Sequence, residues 1–151
     1  MSSSPVSSDR AIANLVASYA ELTDTGDFAA VGRLFADADL TLPGGLTIHG
    51  SEALERLGRT MLMTYKDGTP KTKHVTTNLI IEVDEEAGTG TCRSYFTVFQ
   101  ALADFPLQPI ASGRYRDRFL RCEGEWHFAE RVVIADAFGD VSRHMRAAPG
   151  S

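Results

Sequence analysis

Apolar residues recur at helical spacing near the start of the chain, where Ile12, Leu15, Val16, Tyr19 and Leu22 share one face. Ser8 and Asp9 are able to cap this helix and Gly26 ends it. Asp27 then caps a short second helix whose apolar stripe is Phe28, Val31, Leu34 and Phe35. Two extended pieces, Asp39 to Leu42 and Leu46 to His49, are split by Pro43-Gly44-Gly45 and predict a small hairpin. Ser51 opens a third helix carrying Leu54, Leu57 and Met61, and Lys66 to Pro70 ends it. From Thr72 the period changes from helical to alternating. Thr72 to Val83, Thr89 to Ala101, Ile110 to Cys122 and Trp126 to Ala137 are rich in β-branched and aromatic residues. A turn at Asp84 to Gly88, a longer connection at Asp104 to Pro109 and a tight Glu123-Gly124 turn join them. Helices followed by consecutive long strands predict an α+β domain, an antiparallel meander curved under three N-terminal helices.

The boundaries follow from the same pattern. Residues 9–140 form a single domain, residues 1–8 a Ser-rich disordered segment and residues 141–151 a loose tail. At 151 residues, a chain of this kind buries a core without metal or disulfide staples, so Cys92 and Cys122 need no structural role. The net charge of −5 argues against a nucleic-acid binder, and the alternation Arg114, Arg116, Arg118 reads as one solvated strand face. The N-terminus lacks the apolar core of a signal peptide, and no uncharged stretch approaches the roughly 20 residues of a membrane helix. A cytoplasmic location with reduced thiols is expected.

Histidines stand at 49, 74, 127 and 144, too widely spaced for a recognised metal-ligand pattern, and no Gly-rich phosphate loop or nucleophile elbow is present. What remains is acid–base chemistry around Lys73-His74-Val75-Thr76-Thr77-Asn78. Period-two alternation puts His74, Thr76, Asn78 and Ile80 on one strand face and Val75, Thr77, Leu79, Ile81 and Val83 on the other. Tyr19 lies on the apolar stripe of the first helix, and Asp24 follows at its C-terminal end, where the helix dipole disfavours a carboxylate. If that stripe covers the sheet, Asp24 reaches His74. Taken singly, each residue also has a bland reading: a surface histidine, a core tyrosine, a turn aspartate. Arg131 interrupts an apolar strand and either pairs with a carboxylate such as Asp136 or Asp117, or faces a pocket. Tyr95 and Tyr115 are strand aromatics equally able to line a cavity.

In order and spacing, Tyr19 to Asp27, Leu34 to Ala38, Gly50, Lys73 to Asn78, Gly113 to Asp117 and Trp126 to Arg131 make the chain resemble the SnoaL-like branch of the nuclear transport factor 2-like superfamily. The resemblance spans about residues 9–138. It implies a cone-shaped, cystatin-like α+β barrel, a strongly bent sheet wrapped by helices around a deep pocket. The branch includes scytalone dehydratase, bile-acid dehydratases, hexachlorocyclohexane dehydrochlorinase and polyketide cyclases. In its dehydratase-like members an aspartate after the first helix pairs with a proton-removing histidine, and those positions look like Asp24 and His74. Tyr19 and Arg131 match a tyrosine and a late-strand arginine of the branch. A second histidine or aspartate that some members carry on the following strand, around Thr97 to Phe99, has no counterpart in this sequence.

The expected activity is a cofactor-free lyase (dehydratase) or isomerase/cyclase acting on a small apolar carbonyl compound of polyketide, steroid or terpenoid class. His74 is the base and Asp24 fixes its tautomer, Tyr19 or Arg131 stabilises negative charge on oxygen, and Asn78, Tyr95 and Tyr115 contact substrate. No metal is expected. The rivals are a non-catalytic small-molecule-binding protein and an assembly module. The uncovered sheet face predicts a homo-oligomer, a dimer ahead of a trimer.

Overall fold

A computed structural model of the chain describes residues 5–146. The helices are α1 (Ser8–Asp24), α2 (Phe28–Leu34) and α3 (Ser51–Met61), and the strands are β1 (Asp39–Thr41), β2 (Thr47–His49), β3 (Thr72–Asp84), β4 (Thr89–Leu102), β5 (Phe105–Cys122) and β6 (Glu125–Phe138). The strands form one curved, unclosed sheet in the order β2-β1-β6-β5-β4-β3. The expected α+β class holds. The sheet is mixed rather than wholly antiparallel, because β1 pairs with β6 in parallel, Leu40 opposite Arg131.

Local chemistry sets the helix ends. The Asp27 side chain accepts a hydrogen bond from the Ala30 N–H and caps α2, whereas α1 begins one residue earlier than its expected cap, with Ser7 at the N-cap and Ser8 already helical. Gly26 takes a positive φ of 76°, and a Cβ there would meet the Gly68 carbonyl oxygen at 2.1 Å, so the α1–α2 turn requires glycine. Helix α3 stops at Met61 rather than continuing toward Lys66, since Leu62 turns extended and pairs with Met145.

Two departures in the strands matter. Asn78 adopts a positive φ of 57° at a β-bulge where the β3–β4 register shifts between Thr77 and Ile80. The bulge reverses the alternation, so the inner face carries Thr72, His74 and Thr76 and then Leu79, Ile81 and Val83, while Val75 and Ile80 are exposed. The Asp104 to Pro109 connection is mostly strand: Leu102 pairs with Phe105, Phe105 is buried, and Pro106 and Pro109 sit in a stretch whose register is interrupted by bulges, where proline is tolerated.

The inner face packs on the helices through two apolar clusters. One gathers Ile12, Val16, Phe35, Leu54, Phe119 and Phe128, with the Phe35 and Phe128 rings stacked at 4.7 Å. The other holds Phe96, Val98, Phe105, Ile110 and Tyr115, and both Tyr19 and Val133 touch the two. The tail after Asp140, expected to be loose, is docked over residues 141–146. The Met63 N–H donates to the His144 carbonyl at 2.8 Å and the Arg146 N–H to the Met61 carbonyl at 2.9 Å. Residues 1–4 and 147–151, the remainder of the expected disordered segment and tail, lie outside the described residues.

Candidate functional site

The last turn of α1 lies against the start of β3 and brings Asp24 to His74. The Asp24 Oδ1 atom accepts from the His74 Nδ1–H at 2.6 Å and from the Thr72 hydroxyl at 2.8 Å, and Oδ2 accepts from the His74 backbone N–H at 2.8 Å. These three donors account for a carboxylate at the unfavourable end of a helix dipole. Burial works to raise the Asp24 carboxyl, but the hydrogen bonds and charge from His74 and the bond from Thr72 outweigh it and hold the pKa below its ordinary value. Both side chains are only 10% exposed.

His74 stands in the wall of a cavity of about 160 Å³ between the helices and the inner sheet face. Tyr19 and Thr23 of α1, Phe28 and Val31 of α2, Leu40 of β1 and Leu42 just after it, and Leu54, Leu57, Gly58 and Met61 of α3 form most of the lining. His144 and Met145 of the docked C-terminal segment complete it. His74 and Asp24 also border a shallow groove between α1 and β3, with Glu21 and Lys73, on the other side of the pair.

Arg131 is fully buried but does not reach this cavity. Its Nε donates to Asp117 Oδ1 at 2.8 Å and its Nη2 to Oδ2 at 2.9 Å, so the open choice between Asp117 and Asp136 is decided for Asp117. Asp136 instead takes Arg114. Burial alone would lower the Arg131 pKa; Asp117 reverses this and pushes it up, while burial raises Asp117 against the pull of Arg131. The guanidinium carbon lies 3.7 Å from the Tyr115 ring centre and 4.4 Å from that of Tyr19. Arg131 thus braces the Tyr19 wall from behind. Burial raises the Tyr19 hydroxyl, with Arg131 partly opposing, so Tyr19 is a neutral donor at neutral pH.

Of the three residues expected to contact substrate, only Tyr115 faces inward. It is buried under Phe96, whose ring stacks on it at 4.5 Å, and it is not in the cavity lining. Asn78 and Tyr95 border a separate depression with Arg93, Arg114 and Arg116 on the outer sheet face. The Asn78 bulge and the outward turn of Tyr95 explain this displacement.

The residue that the sequence did not bring to the site is His144, whose ring centre is 6.3 Å from that of His74. Its only signal was the count of histidines, because nothing local predicts that a polar C-terminal segment folds back. Among the described residues no group of three or more His, Cys, Asp or Glu side chains is arranged to hold a metal ion, and no helix is long and apolar enough to cross a membrane.

A bent, unclosed sheet under three helices is the fold of structures described as NTF2-like with a cystatin-like fold. Within it, residues 4–132 match the SnoaL-like domain model, and the chain belongs to that family. Among solved structures, an NTF2-like protein with a cystatin-like fold from Novosphingobium aromaticivorans aligns with a TM-score of 0.72 at 21% identity, over 89% of this chain and 86% of its own. LinA aligns at 0.71 and 22% identity, over 94% and 95% of the two chains. A candidate scytalone dehydratase, also from Novosphingobium aromaticivorans, aligns at 0.68 and 20%, over 87% and 86%. These likenesses establish the fold. No curated protein matches the chain.

Proposed function

We propose that the protein is a cofactor-independent acid–base catalyst, a lyase or isomerase, acting on a small, largely apolar carbonyl compound. The observation that carries the reading is His74 in the wall of an apolar cavity, its Nδ1 held by Asp24 from outside the lining. Because Nδ1–H donates to the ionised Asp24, the second ring nitrogen of His74 keeps its lone pair and is the base. It takes a proton from the carbon next to the carbonyl. The C–H electron pair moves toward the carbonyl oxygen, and Asp24 stabilises the imidazolium that forms. Tyr19, neutral and in the cavity wall, donates to that oxygen. Returning the proton to another carbon isomerises the ligand; delivering it to a departing hydroxyl oxygen dehydrates it.

The cavity size narrows the substrate class. A volume of 160 Å³ suits a molecule of about one six-membered ring, since an apolar cavity of about 150 Å³ holds benzene. This favours a compound of monocyclic terpenoid size over a steroid or a multi-ring polyketide. The family setting, with LinA and a candidate scytalone dehydratase as structural neighbours, is in keeping with elimination chemistry.

The test needs no knowledge of the natural substrate. Cyclohexanone in D₂O exchanges its α-protons, and ¹H NMR follows the rate. We expect the wild type to accelerate exchange and His74→Ala to lose about 10²- to 10⁴-fold of that acceleration. Equal rates in the two proteins would reject the base assignment and leave a binding role for the cavity.

A further inference from the structure

The C-terminal segment brings a second imidazole into the cavity, and its placement is built rather than incidental. The Gln100 side-chain amide donates to the Arg143 carbonyl at 3.0 Å, and the Tyr65 hydroxyl donates to the same oxygen. The Arg143 guanidinium takes Asp104 through two bonds of 3.1 and 2.8 Å, and the Met63 N–H holds the His144 carbonyl. Ties to β4, to the β4–β5 turn and to the chain after α3 therefore converge on residues 143 and 144.

His144 itself is only 8% exposed, lines the cavity, and its enclosed Nδ1 has no hydrogen-bond partner among the described residues. Leaving a buried polar atom without a partner costs free energy, and such atoms in native structures call for an explanation. Among the described residues no acceptor reaches Nδ1, while Nε2 is not among the enclosed unpartnered atoms, so the ring proton is better placed on Nε2. In His74 the proton is on Nδ1, drawn there by Asp24, and Nε2 is the acceptor. Two imidazoles of opposite polarity, with ring centres 6.3 Å apart and planes at 64°, thus share one apolar cavity.

We infer that His144 is a second ligand-contacting histidine, whose Nε2–H donates a hydrogen bond to the oxygen of a one-ring ketone or enol while His74 faces the adjacent carbon. This rests on the cavity and tautomer assignments of the proposed function and adds the group that selects an oxygenated ligand over a hydrocarbon of the same shape. The ring is suited to the task because burial, with the charge of His74 adding and Asp24 opposing, pushes it down to about 4 and keeps it neutral at physiological pH. No proton leaves His144 in the reaction. It polarises the carbonyl beside Tyr19 as the proton passes to His74.

The experiment compares cyclohexanone with cyclohexene, a matched ring without oxygen, by titration calorimetry on wild type and His144→Phe. We expect the substitution to weaken cyclohexanone about tenfold, the effect of one lost hydrogen bond, with cyclohexene changed less than about twofold. Equal weakening of both ligands, or of neither, overturns the inference. Should His144→Phe fail to fold, ¹⁵N NMR of the wild-type ring decides: Nε2 protonated and shifted by cyclohexanone but not by cyclohexene supports it, and an unmoved resonance overturns it. The α-proton exchange read on the same samples separates the two proposals. Oxygen selectivity without exchange sinks the catalytic reading alone, and exchange with unaltered selectivity in His144→Phe sinks this one alone.

Discussion

Asp24 Oδ1 stands 2.6 Å from Nδ1 of His74, fifty residues along the chain, and the same carboxylate also holds the His74 backbone N–H. One aspartate therefore fixes both the strand backbone and the ring that projects from it. Asp24→Asn keeps the shape but allows the amide to donate to Nδ1, which moves the ring proton to Nε2 and removes the lone pair from the cavity side. Cyclohexanone α-exchange should fall by about 10²-fold or more, and ¹⁵N NMR of His74 should report the exchanged tautomer. Unchanged exchange would separate Asp24 from the chemistry.

Arg131 and Asp117 meet directly across the β5–β6 ladder, both at 0% exposure. Removing one charge leaves the other buried without a partner, so Arg131→Met should destabilise the fold by about 3–5 kcal/mol in urea titration. The double change Arg131→Met, Asp117→Leu should recover most of that loss, because no isolated charge is then buried. At temperatures where the double variant is folded, it should keep α-exchange within a few-fold of wild type, as expected for a group behind Tyr19 rather than in the cavity. A loss as deep as that of His74→Ala would return Arg131 to the chemistry.

Gly58 faces Phe28 across the cavity wall, and a Cβ there would lie 2.7 Å from the ring. The contact is with the ring's near atoms, so Gly58→Ala cannot be relieved by swinging a flexible tip and must push Phe28 as a whole. The expected cost is about 1–3 kcal/mol, with weaker binding of both cyclohexanone and cyclohexene. Unaltered stability and affinity would show that the α2–α3 wall yields.

Helical spacing, the Asp27 cap and the change to strand patterning at Thr72 were enough to read the layered α+β fold, since each is a local property of the sequence. The helix dipole marked Asp24 as unexplained by its own helix, but its pairing with His74 was conditional on the helix covering the sheet and was singled out by the resemblance to the SnoaL-like branch. The inner face of β3 was not legible. Alternation assumes continuous pleating, and the positive φ at Asn78 breaks it without a glycine to mark the position. Pro106 and Pro109 signalled a loop but lie in a bulged strand. His144 was invisible for a different reason: its burial depends on Gln100, Tyr65 and Asp104, which are remote in sequence, and no periodicity encodes such contacts.

The outer sheet face leaves Ile80 47% and Tyr95 55% exposed, next to the arginines of β4 and β5. The exposed apolar area is the basis for expecting a second copy of the chain on this face. Sedimentation should then give a dimer at micromolar concentration, and Tyr95→Asp should shift it to monomer with the cavity chemistry intact. A monomer in the wild type removes the expectation.

The buried His144 ring also sets an acid limit on stability. Its pKa is about 4 in the folded chain against an ordinary 6.5, chiefly because burial penalises the charged ring. Between those values the unfolded chain binds a proton that the folded chain does not, so stability falls as pH drops through this window and levels off for this group below it. Above pH 6.5 both states hold the neutral ring and the contribution is complete. The full effect is on the order of 3 kcal/mol. Urea titrations of wild type and His144→Phe at pH 7, 5.5 and 4.5 isolate it, because the other carboxylates and histidines are common to both chains. The wild type should lose stability relative to the variant as pH falls, with most of the difference already present at pH 4.5. Parallel curves would mean that the ring protonates in place at no cost, which requires a solvated His144 rather than one enclosed against His74.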